Sequence, residues 1–135
     1  MRLEEQFADV QALLVLAVLL SGDLTRPEAA FWYASLLEES GYGHLPHERA
    51  AFLIRESDGT LTIAPWPHGG YRHASFRGHV PTGTIAILHT HPRGEERPSA
   101  TDRAEARRLG LPVVVITAER VVAAMPGGGE VALSQ

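Results

Sequence analysis

Apolar and polar residues follow one another along this chain in several distinct rhythms, and each rhythm predicts a different element. From Leu3 to Leu20 the apolar residues crowd together, and Ala12 to Leu20 carry no polar side chain at all. Such a run predicts a helix buried over most of its surface, stopped by Ser21-Gly22. The stretch from Pro27 to Ser40 is sparser and predicts a second helix, with Ala30, Phe31, Ala34 and Leu37 on one face. Thr25 and Glu28 have the spacing of a capping box at its start, and Gly41-Tyr42-Gly43 stops it. Two short runs, Glu48 to Arg55 and Thr60 to Ala64, read as strands joined by a hairpin turn at Ser57-Asp58-Gly59. Gly83 opens a further strand through Ile85-Ala86-Ile87-Leu88. A helix from Ser99 to Leu109 then ends at Gly110, a residue suited to a left-handed C-cap. Pro112 to Thr117 and Val121 to Met125 predict an antiparallel pair around Ala118-Glu119-Arg120. A last strand, Glu130 to Leu133, follows Gly127-Gly128-Gly129. This order of elements predicts an α/β fold in which helices sandwich a mixed β-sheet.

Length and composition narrow the class. At 135 residues, with 44% hydrophobic and 21% charged residues, the chain is expected to form one domain around one core. The net charge of −4 gives no general attraction to nucleic acid or to an anionic membrane, so neither is expected as a partner. The run from Ala12 to Leu20 is too short to span a bilayer, which takes about 20 residues. Glu4 and Glu5 stand where a signal peptide would be basic. A cytoplasmic protein is expected on those grounds. There is no cysteine, which removes disulfides and a thiol nucleophile. All twelve basic residues are arginine; a GC-rich genome explains that bias, and freedom from acceptor amines beside a lysine-conjugating system is the functional alternative.

The candidate chemistry lies in His89-Thr90-His91-Pro92 and Ser99-Ala100-Thr101-Asp102. Two histidines two residues apart on a strand point to the same side. Pro92 ends the ladder, since it has no N–H. A short polar loop then leads to a helix start that carries a carboxylate. Two neutral imidazoles and one carboxylate suit Zn²⁺, with the fourth position left to water. Ser99 and Asp102 also have the form of a capping pair, and capping and chemistry are compatible: the cap would aim the Asp102 carboxylate. His44, His47, His68, His73 and His79 lack partners at such spacing. The long segment from Pro65 to Gly83, with Trp66, Tyr71 and Phe76, is either a substrate lip or a run of irregular strands.

These residues resemble the motif of the JAMM (MPN+) metalloproteases: an upstream Glu, then His-x-His-Pro, a short loop and Ser-x-x-Asp. Seven residues, Pro92 to Pro98, separate His91 from Ser99, as in that family. Pro46-His47-Glu48 at the head of an apolar strand matches the family's upstream acid. Of the rival acids, Glu38 and Glu39 fall late in a helix and Glu56 enters a turn. The resemblance covers roughly residues 25 to 126, with residues 1–24 as a helical extension of the single domain. It implies the JAMM fold, of cytidine-deaminase-like architecture. It further implies one Zn²⁺ per chain on His89, His91 and Asp102, Glu48 as general base and acid, and Ser99 as a hydrogen-bond donor to the oxyanion. The implied activity is cleavage of the amide bond after the C-terminal glycine of a ubiquitin-like protein, with that protein or its conjugates as partner. The compact length is similar to prokaryotic members. Other substrates, such as cell-wall peptides or sulfur-carrier adducts, and a non-catalytic MPN scaffold are the alternatives. The motif is also similar to that of the RadC group, whose additional domain is absent here. The helix from Leu3 to Leu20 is more apolar than one buried face requires, which makes a homodimer through it a further expectation.

Overall fold

The computed structural model describes residues 22–43, 48–66 and 78–134. The helix expected from Leu3 to Leu20 lies outside them, as do residues 67–77 of the long segment before Gly83. The described elements are α1 (Pro27–Glu39), β1 (Ala50–Arg55), β2 (Leu61–Pro65), β3 (Thr84–Thr90), α2 (Ala100–Leu109), β4 (Val113–Ile116), β5 (Val121–Ala124) and β6 (Glu130–Ser134). They build the expected α/β fold, a six-stranded mixed sheet in the order β2-β1-β3-β4-β5-β6. No helix among the described residues is long and apolar enough to cross a membrane.

One pairing positions the site. Every pair of neighbours is antiparallel except β3 and β4, which run parallel. Parallel strands cannot be joined by a tight turn, so a crossover is required. Here α2 is that crossover. It must begin at the end of the sheet where β3 finishes, and its first turn therefore stands beside the last residues of β3.

The core forms on both faces of the sheet. Alternation sends Ala51, Leu53, Ala86 and Leu88 to one face, where Ala29, Tyr33 and Leu36 of α1 cover them. Phe52, Ile87 and Val113 point the other way, against Ala106 of α2. Both central strands after α2 are buried at every position, which explains the unbroken Val-Val-Val-Ile and Val-Val-Ala-Ala runs.

Three local expectations are corrected. Gly22 is not the stop expected there, because residues 22–24 are helical. Thr25 does not cap α1: the N-cap is Arg26, without a side-chain bond, and Pro27 fills the first helical position. Proline has no N–H to satisfy and its φ is already helical, so the start needs less help. Thr25 Oγ1 instead donates to the Gly22 carbonyl at 3.1 Å, and Glu28 accepts the Leu61 N–H at 3.0 Å, tying α1 to β2. The buried face of α1 is also different. Ala29, Tyr33 and Leu36 face the sheet, while Phe31 is 63% exposed. Tyr33 turns inward because its hydroxyl finds the Leu24 carbonyl at 2.7 Å. Phe31 packs outside, edge-on to Trp32, with ring centroids 4.9 Å apart.

Candidate metal centre

β3 delivers the first two donors. His89 shares the α2-facing side with Ile87, and His91 follows just beyond the strand, where its N–H donates to the Ile116 carbonyl at 3.1 Å. α2 delivers the third. Ser99 is its N-cap, and the capping box forms in full. The Asp102 N–H donates to Ser99 Oγ at 3.1 Å, and the Ser99 N–H donates to Asp102 Oδ2 at 2.6 Å. The cap thus fixes the carboxylate, as the sequence suggested. Asp102 Oδ1 lies 2.9 Å from His89 Nε2, and Oδ2 lies 3.2 Å from His91 Nε2. One donor atom from each of His89, His91 and Asp102 falls within 4.8 Å of the others, a grouping that could hold a metal ion.

Two details show how well these residues fit a cation. His91 Nδ1 lies 2.8 Å from the Glu95 carbonyl. That bond places the proton on Nδ1 and turns the Nε2 lone pair inward, the usual way of orienting a metal-binding imidazole. His89 Nε2 is buried with no hydrogen-bond partner among the described residues, although Asp102 Oδ1 lies 2.9 Å away. An orphaned buried nitrogen costs about 1–3 kcal/mol, and a metal ion would take up its lone pair. Burial opposes charge on Asp102, but the two imidazoles and the Ser99 N–H outweigh it and hold the carboxyl well below its ordinary range. Asp102 is therefore ionised and offers a carboxylate to a cation.

Glu48 sits just before β1 and is 7% exposed. Ala50 is paired with His89, and the Thr90 N–H donates to the Arg49 carbonyl at 2.9 Å. Continued by two residues, this register would set Glu48 across from His91, and the charges of His89, His91 and Asp102 all act on its carboxyl. It is not one of the three grouped donors. Burial raises its carboxyl above the ordinary value, while His89 and His91 pull it partly back. The rivals Glu38, Glu39 and Glu56 are all exposed. His79 stands outside the donor group; His44, His47, His68 and His73 lie outside the described residues.

An open cleft of about 620 Å³ borders the centre, lined by His91, Gly94, Glu95, Glu96, Arg97 and Ser99. Its loop is tied to the far side of the sheet. Glu96 pairs with Arg120 at 3.2 Å, and Arg97 pairs with Glu130 at 3.1 Å. Glu130 also meets Arg103 of α2 at 2.7 Å. Neither these ties nor the role of the Glu95 carbonyl was legible in the sequence, since both depend on how the loop folds against its neighbours in space.

A mixed sheet between helices, with two histidines at the end of one strand and an aspartate in the next helical turn, defines a JAB-type domain with a candidate metal site. The sequence bears this out: it matches the prokaryotic homologs of the JAB domain over residues 37–128, and the chain belongs to that family. A comparison with curated proteins returns no match.

Proposed function

We propose that this chain is a zinc-dependent peptidase that hydrolyses the amide bond after the C-terminal glycine of a ubiquitin-like protein. The observation that carries the reading is the convergence of His89, His91 and Asp102 opposite a buried carboxylic acid, Glu48, that is outside their group. Zinc held by such a donor set would lower the pKa of a bound water to about 7. Glu48 takes the proton from the attacking water and returns it to the leaving amine. A pKa raised toward the working pH suits both halves of that task. Ser99 Oγ accepts the Asp102 N–H through a lone pair and keeps its own proton to give. That proton is placed to stabilise the oxyanion formed from the attacked carbonyl. Glycine is the expected residue before the cut, since a bulky side chain beside the scissile bond would hold the carbonyl away. The protein acts in the cytoplasm, and the apolar sequence of residues 3–20 is the segment through which a homodimer would form.

The test uses two substrates. Each is a ubiquitin-like protein joined through its C-terminus to the ε-amine of a lysine in a fluorescent peptide. One ends in glycine and the other in leucine. The glycine form should be cleaved in a chelator-sensitive manner and the leucine form left intact. Equal cleavage of both, or cleavage confined to cell-wall peptides, would leave a zinc peptidase of another substrate class. No cleavage of any peptide would favour the scaffold.

A further inference from the structure

The ladder between β1 and β3 ends at the metal centre, and one side chain takes part in the last contact. The strands are paired as far as Ala50 and His89. One residue on, the Thr90 N–H donates to the Arg49 carbonyl at 2.9 Å. In a regular antiparallel pair the Arg49 N–H would return the bond to the Thr90 carbonyl. It donates instead to Thr90 Oγ1, at 2.8 Å. The next N–H, that of His91, donates to the Ile116 carbonyl on the β4 side, as alternation along a central strand requires. The hydroxyl between the two histidines thus takes up the Arg49 N–H where the β1–β3 ladder ends.

This hydroxyl is not an incidental surface contact. Thr90 is 1% exposed, on the side of the sheet opposite His89 and His91. A polar group so placed is costly without a partner, and apolar residues of that size are available to fill the space. Glu48 is the residue next to Arg49. Where the Arg49 amide is pinned decides where the Glu48 side chain emerges.

We propose that Thr90 is a positioning residue for catalysis: its hydroxyl replaces a missing main-chain acceptor and thereby fixes Glu48 opposite His91. This rests on the assignment of Glu48 as the proton-transfer group. Thr90 is neither one of the grouped metal donors nor one of the residues lining the cleft, and it acts through the β1 backbone.

Thr90→Val keeps the shape and removes the acceptor; Thr90→Ser restores the acceptor and drops the methyl. With the glycine-ended isopeptide probe, Thr90→Val should lower kcat by about 10- to 100-fold with KM and zinc content unchanged, as expected when a catalytic group is misplaced. Thr90→Ser should recover most of that loss. Thr90→Ala makes the same deletion should valine not be accepted. Amide exchange supplies a readout independent of turnover. The Arg49 N–H should exchange faster in Thr90→Val and return toward wild type in Thr90→Ser, while the His91 N–H stays protected. Wild-type kcat in Thr90→Val, an equal loss in Thr90→Ser, or a loss that follows departure of zinc would overturn the inference, provided Glu48→Ala is inactive. An active Glu48→Ala would overturn both this inference and the assignment of Glu48.

Discussion

Glu48 and Asp102 are both buried carboxylic acids, yet their surroundings treat their charges in opposite ways. Burial raises Glu48, and the imidazoles only partly offset it. Asp102 meets the same burial, but two imidazoles and a main-chain N–H keep it ionised. The consequence for stability has a definite sign. Below the ordinary carboxylate range, folded and unfolded chains both hold the Glu48 proton. As pH rises the unfolded chain ionises first, so the fold loses stability until the raised folded pKa is passed. Metal-free Glu48→Gln should therefore melt higher than metal-free wild type at about pH 7, and the gap should close by about pH 4. Equal melting temperatures at both pH values would mean that the carboxyl is not destabilised by its site. At this scale the sequence was legible where chemistry lies in side chains at fixed spacing, as in His89, His91 and the Ser99–Asp102 cap. It was silent on the Glu95 carbonyl, because every residue has one and only the fold selects this one.

The elements that carry the site were also the clearest in the sequence. α2 begins at Ser99 and ends at Gly110, with φ 67°, as its cap residues require. The buried face of α1 was not legible, because its aromatic and aliphatic residues occupy more than one side; Tyr33 was drawn inward by a partner, Leu24, in another segment. The turn after α1 holds more than a stop signal. Gly41, Tyr42 and Gly43 all have positive φ, and Gly43 accepts the Arg93 N–H at 3.4 Å. A Cβ on Gly43 would stand 3.0 Å from Arg93 N and 3.3 Å from the His91 carbonyl oxygen. Gly43→Ala should cost about 1–2 kcal/mol through its left-handed backbone alone. It should also weaken zinc binding, since the His91–Arg93 backbone must yield. Denaturant unfolding and chelator competition measure the two effects separately. A loss of stability with unchanged zinc affinity would mean that the turn ends the helix and does nothing for the centre.

At the scale of the whole molecule, the fold class followed from the order of elements, and the hairpins β1–β2 and β4–β5 from local turns. The placing of β3 between β1 and β4 did not, because it joins residues far apart in sequence through no local signal. That placing makes the site. β1 brings Glu48, β3 brings the histidines, and the parallel crossover to β4 forces the first turn of α2 to bring Asp102. The central claim is that these parts hold a metal. The most direct measurement is the zinc content of protein purified without a histidine tag, beside its His89→Ala and Asp102→Ala variants. About one zinc per chain is expected in the wild type, as three protein ligands predict, and little in either folded variant. Full occupancy in both variants, or a wild type that binds no zinc when it is supplied, would contradict the account.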